Sequence, residues 1–409
     1  MDRAGSRRLL LRGGGYCLLG LVVYGLALTL HAGTPFAQSR FPYFVYYAHA
    51  LLQGQLHFAE APPALLDLAR FEGRLYMHHP PFPALLLAPL VAVLGLATPD
   101  RLVSVVIGAL NGGGFYALLA RLDRRGAIVT SEATRALLTL CFLFGTVHFY
   151  LTVTGNPWEL AHVVCNGLVL LTLHLAVSRR YAGAALALVA ILFTRSHVFL
   201  ILPALLAGYW LREAQAKPAV RERLRGVLLP LAIAGAGVAL LLAFNAARFG
   251  DPLENGVRYH AMHESFRARF QATGYFDLSY LPRNLRALLW LLPRAIPDFP
   301  FLTFSPEGLS LFVASPIYLY LFASLHRGAR RAARLLWAAL LPPLVPILLL
   351  MGTGELQFGH RYSSDLQVFA LLLCALGMRG RASATAIALA AASIAMNLLG
   401  ALWFVSHYA

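Results

Sequence analysis

Apolar runs of roughly twenty residues, the length that crosses a bilayer core, recur along the whole chain and constrain its fold more than any other feature. Backbone in lipid must satisfy its own hydrogen bonds, so such runs form helices. The first, Tyr16 to His31, follows Arg3, Arg7, Arg8 and Arg12. That is the pattern of a signal anchor. It shares features with a signal peptide, and Ser6-Arg7-Arg8-Leu9-Leu10 faintly echoes a twin-arginine signal, but no small-x-small cleavage site follows. Further crossings are expected near 101–121, 134–153, 159–178, 181–194, 197–212, 226–247, 309–325, 335–351, 363–378 and 384–405. Only 13% of the 409 residues are charged, against about 25% in soluble domains. That excludes an ordinary cytosolic enzyme, a disordered chain and a fibrous one. The sequence predicts an all-α fold: a polytopic transmembrane helical bundle forming one integral membrane domain over 1–409.

The net charge of +16 needs a cause. No basic stripe interleaved with aromatics points to nucleic acid, and no nucleic-acid partner is expected. The positive-inside rule is the alternative. If the apolar run 82–98 dips into the membrane without crossing, the cytoplasmic pieces are 1–12, 121–135, 179–180, 212–225, 326–334 and 379–381. Those pieces hold 21 of the 34 Lys and Arg and 5 of the 18 Asp and Glu, so 21 − 5 = +16, and the remainder is neutral. This predicts about eleven crossings in the plasma (inner) membrane, with the N-terminus cytoplasmic and the C-terminus extracytoplasmic.

Two outer segments are too long to be mere connectors: 32–81, leading into the dipping segment 82–98, and 248–308. Pro42 to Leu52 reads as an aromatic helix ended by Gly54. Leu281 to Leu292 reads as a helix lying flat in the headgroup region, Leu285, Leu288, Leu289 and Leu292 opposite Arg283 and Arg286. The cysteines (Cys17, Cys141, Cys165, Cys374) lie in or beside apolar runs and read as packing residues. GxGxxG, P-loop, HExxH and GxSxG patterns are absent, so no cofactor is expected. His260-x-x-His263 lacks a carboxylate at helical spacing, so no metal is expected either.

Polar groups beside a membrane are expensive without a purpose. On the outer side they comprise Arg40 with His49, Tyr76 to Pro81 with His79, Asn156-Pro157-Trp158-Glu159, Thr194-Arg195-Ser196-His197, Asp251 to His260, and Glu355 to Asp365. The guanidiniums of Arg195, Arg258 and Arg361 suit a phosphate at headgroup depth. Arg195 splits an apolar run after only about a dozen residues, where a snorkelling Arg would end a full span.

A first span, then a long outer loop with an aromatic helix and the His79-Pro80-Pro81 motif, resembles the polytopic C-type fold glycosyltransferases that use polyprenyl-phosphate-linked sugars. Protein O-mannosyltransferases and lipid A aminoarabinose transferases are among them. In those families the HPP-type segment leads into a membrane-dipping helix, and a threonine-lysine or threonine-arginine pair follows a short span, as Thr194-Arg195 does here. The blocks Phe41 to Phe58, Phe249 to Tyr259 and Phe358 to Asp365 resemble uncharacterised bacterial members.

The resemblance implies sugar transfer from a polyprenyl-phosphate donor to an extracytoplasmic glycan, lipid or protein acceptor, in contact with membrane lipid. Arg361, Arg195, His197, Arg258, His79 and Arg40 would bind substrate. These families carry a catalytic Asp or Glu just after the first span, whereas Thr34 to Tyr43 holds no carboxylate. Sugar transfer needs a base for the acceptor's proton. It is expected from Glu355, Asp365 or Glu254, with Glu72 and Glu159 as further candidates. The alternatives are an inactive homologue serving as a lipid-binding or partner subunit, and a lipid-linked-substrate transporter or flippase. Against the transporter stand the lack of inverted repeats and polar groups at the outer face rather than the midplane.

Overall fold

The computed structural model describes residues 3–215, 220–262, 264–299, 301–326 and 331–408. It is 71% helical and 4% strand, an all-α bundle. After α1 (Arg3–Ala32) come α2 (Tyr43–Leu52), a hairpin of β1 (Ala69–Phe71) and β2 (Arg74–Tyr76), and α3 (Phe82–Leu94). Then follow α4 (Asp100–Arg124), α5 (Glu132–Phe144), α6 (His148–Thr154), α7 (Pro157–Val177), α8 (Tyr181–Leu192), α9 (Leu202–Gln215) and α10 (Val220–Phe249). The second long segment contributes α11 (Glu264–Thr273), α12 (Leu281–Leu289) and a hairpin of β3 (Arg294–Ala295) and β4 (Leu302–Thr303). The chain ends with α13 (Leu311–Ala314), α14 (Tyr320–Leu325), α15 (Arg331–Leu348), α16 (Gln367–Gly377) and α17 (Ala384–Tyr408).

Every expected crossing coincides with helical structure, but among the described residues six helices are long and apolar enough to span by themselves. The pair α5 and α6, bent by 45°, makes up to seven. The shortfall has a local cause: the other apolar segments are interrupted by polar backbone breaks. α8 stops before Thr194–His197 and α16 begins only after a 3-10 turn, Arg361–Leu366. Non-helical backbone at membrane depth is tolerated where protein buries it or where it lines a cavity.

The ends of the bundle differ. At one, Arg12 pairs with Glu132 at 2.6 Å, Arg121 donates to Ser178 at 2.6 Å and Ser131 N donates to Gly380 O at 3.1 Å, gathering the basic segments. At the other, Ser39 bonds Asp100, Phe82 N donates to Phe193 O, and Arg248 donates to Met77 O at 2.8 Å. α3, thirteen residues and about 20 Å long, is followed by a turn at which Gln38 donates to Thr98 O at 2.9 Å.

α16 is buried on every residue, as a helix apolar all round should be. α4 approaches its neighbours through Gly108 and Gly112, where a Cβ would overlap Thr152 and Leu143. The four cysteines are free thiols. Two expectations need correcting. The helix at Leu281 ends at Leu289, with Leu292 exposed beyond it, because its buried face is Asn284, Ala287 and Leu288 and Asn284 donates to Leu348 O and Leu350 O. The two small hairpins were not anticipated; their strands are too short for an alternating pattern to register.

Candidate functional site

α7 and the 3-10 turn at Arg361–Leu366 meet along three polar rungs. Glu159 and His162, one helical turn apart, share a face of α7. Glu159 Oε1 lies 3.7 Å from Arg361 Nη1, and His162 Nδ1 lies 2.7 Å from Asp365 Oδ1. Asn166 Nδ2 donates to Ser364 Oγ at 3.0 Å.

The break after α8 supplies the next groups. Thr194 Oγ1 donates to Ala190 O at 2.7 Å and Ser196 Oγ to Leu192 O at 2.8 Å, satisfying carbonyls that the helix end leaves unpaired. Arg195 is thereby held extended, and its Nε donates to Asp365 Oδ2 at 3.0 Å. His197 Nε2 stands 3.1 Å from the same oxygen. Both guanidiniums lie over one ring, Arg195 Cζ at 5.1 Å and Arg361 Cζ at 5.5 Å from the centroid of Tyr362. Arg361 is set by its own loop: its N–H donates to Gln357 Oε1 at 2.9 Å, while Gln357 Nε2 bonds Thr353 O and Glu307 O.

The two long segments close over this ladder. Ala69 bridges His260 in antiparallel fashion and Ala261 N donates to Leu68 O at 3.0 Å, which brings Asp67 Oδ1 within 3.5 Å of His260 Nε2. Asp67 adopts the left-handed region at φ 60°, which Asp tolerates better than most residues. Tyr43 Oη fixes the neighbouring Leu66 O at 2.7 Å. Burial raises the Asp67 pKa, while His260 and Arg361 pull it down less strongly. Burial also lowers His260, and it lowers His79 well below the ordinary histidine value with help from Arg195, His260 and Arg361. His78 lies between these rings at tilted angles, centroids 4.0 Å from His79 and 4.3 Å from His260.

Several buried polar atoms here lack a protein partner: Arg361 Nε, Glu159 Oε2, His162 Nε2, His78 Nδ1, His79 Nε2 and both ring nitrogens of His360. Buried polar groups are normally satisfied, and these are the atoms a polar ligand would engage. Among the described residues no three His, Cys, Asp or Glu are grouped as a metal would require. His263 lies outside the described residues.

Of the residues expected at the site, Arg195, His197, Asp365, Arg361, Glu159 and His79 are brought together. The others lie apart. Glu355 is paired with Arg283 at 2.9 Å, and Glu254 accepts from Gly256 N at 2.7 Å. Arg258 stands 3.5 Å from Glu254 with 72% of its side chain exposed, and Arg40 lies over Phe41 at the surface. Asp67 and His162 were not anticipated. His162 carried a legible signal, an ionisable residue inside an apolar span. Asp67 carried none, lying in a polar loop that only the bridge to His260 makes significant.

No family model and no curated protein sequence matches this chain. Among solved structures, the oligosaccharyltransferase of Archaeoglobus fulgidus in its apo form is similar over 95% of this chain, with 13% identity and a TM-score of 0.49. The chain covers 56% of that protein's length. Likeness of that degree leaves donor and chemistry to be argued from the site itself.

Proposed function

We propose that this membrane protein transfers a sugar from a polyprenyl-phosphate donor to a hydroxyl of an extracytoplasmic acceptor. The reading rests on two groups: Arg361, buried with an unpartnered Nε, and Asp67, a carboxylate with a third of its side-chain surface exposed that feels the Arg361 charge. In the proposed reaction Asp67 takes the acceptor's proton as the acceptor oxygen bonds the anomeric carbon. The bond from that carbon to the phosphate oxygen breaks, and the phosphate leaves with the electron pair. Arg361 stabilises its charge, with Arg195 beside it on Tyr362.

In this scheme Asp365 is a positioning residue, since Arg195 and His162 already occupy its oxygens. Glu355 and Glu254 stay with their own partners, Arg283 and the turn at Gly256. The stretch 34–43 holds no carboxylate; in this scheme Asp67, from the same loop, supplies an alternative base. The reading is tested by presenting labelled polyprenyl-phosphate sugar to the protein in membranes and measuring its conversion to polyprenyl phosphate.

A further inference from the structure

At the opposite, basic end of the bundle lie two cavities that the proposed chemistry does not use. One, of about 640 Å³, is walled by Ile201, Leu205, Gly208, Leu335, Ala339 and Phe369. Arg125 and Arg331 also line it. The other, of about 580 Å³, is lined by Arg121, Arg124, Arg125 and Arg180 with His174 and Ser178. Arg125 belongs to both, so an apolar slot adjoins a cationic one.

No Asp or Glu lines either cavity among the described residues. The acids nearby are engaged elsewhere: Asp123 with Arg135 at 3.1 Å, and Glu132 with Arg135 at 2.9 Å and Arg12 at 2.6 Å. Arg121 feels repulsion from Arg124, Arg125 and Arg180, and its Nη1 bonds neutral groups, His174 O and Ser178 Oγ. The positive-inside rule explains why Arg residues gather at this end. It does not explain an apolar cavity of ligand size opening beside them.

We propose that the two cavities form one site for an anionic phospholipid of the adjoining leaflet. Its phosphate sits among Arg121, Arg125 and Arg180, where an anion relieves like-charge crowding, and an acyl chain fills the apolar cavity. Basic pockets between membrane helices commonly hold anionic headgroups.

The test uses the full-length protein in detergent, with lipid retention read by native mass spectrometry and thermal unfolding. The probes are dioleoyl phosphatidylglycerol, dioleoyl phosphatidylcholine and inorganic phosphate. Phosphatidylglycerol should be retained and raise the melting temperature; the other two should not. Arg125→Gln and Arg180→Gln should each weaken retention about fivefold. Gly208→Leu, where the nearest atom to a new Cβ is Leu335 Cδ1 at 3.8 Å, should fold normally and lose retention by filling the slot. Equal retention of both lipids, or unchanged retention in all three variants, would overturn the proposal. Stabilisation by phosphate alone would make this a free-anion site and overturn the lipid assignment.

Discussion

Arg195 Nε donates to Asp365 Oδ2 across 3.0 Å, with 13% of the arginine side chain and none of the aspartate exposed. A guanidinium read from the sequence as a phosphate ligand and a carboxylate read as a base are thus partners of each other. Asp365→Asn should therefore act through stability, because it leaves Arg195 buried and uncompensated, a loss of about 3–5 kcal/mol for such pairs. Thermal unfolding in detergent measures it. Normal stability with abolished transfer would instead make Asp365 the base.

Arg361 should discriminate between charge and geometry. Arg361→Gln should cost on the order of 2–5 kcal/mol of donor binding, and Arg361→Lys should recover only part of it, because an ammonium lacks the planar fork. Donor titration in membranes provides the readout. A Lys variant equal to the wild type would return Arg361 to the status of a headgroup anchor.

The pH dependence follows from Asp67. It acts ionised, and burial raises its proton affinity more than His260 and Arg361 lower it. Activity should fall as pH drops through a midpoint above the ordinary Asp value of about 3.9. Burial shifts His260, the partner of Asp67, downward. A kcat/KM profile measures the acid limb; a limb at or below the ordinary Asp range would assign it to another group.

Much of the architecture was legible because lipid imposes length and composition on a spanning segment. The residues at the breaks, Arg195, His197, Arg361 and Asp365, were legible too, as ionisable groups interrupting apolar runs. Their pairing was not: Arg195 and His162 meet Asp365 across 170 and 203 residues of chain, and no local pattern encodes such contacts. Glu355 misled because it shares a loop with Arg361, while the fold turns it toward Arg283. The meaning of Asp67 depends on two loops docking, which hydropathy does not register.

Topology provides an independent check. Ser131, which caps α5, and Ser279, exposed after α11, lie at opposite ends of the bundle. In intact cells an impermeant thiol reagent should label Ser279→Cys and spare Ser131→Cys. Labelling of Ser131→Cys would mean that 82–98 crosses.

The most direct measurement compares wild-type protein with Asp67→Asn in nanodiscs, following release of polyprenyl phosphate from a labelled polyprenyl-phosphate sugar. Transfer by the wild type and a loss of about 10²–10⁴-fold in the variant, with melting temperature unchanged, is the predicted result. No turnover by the wild type across such donors, or equal turnover by both proteins, would contradict it.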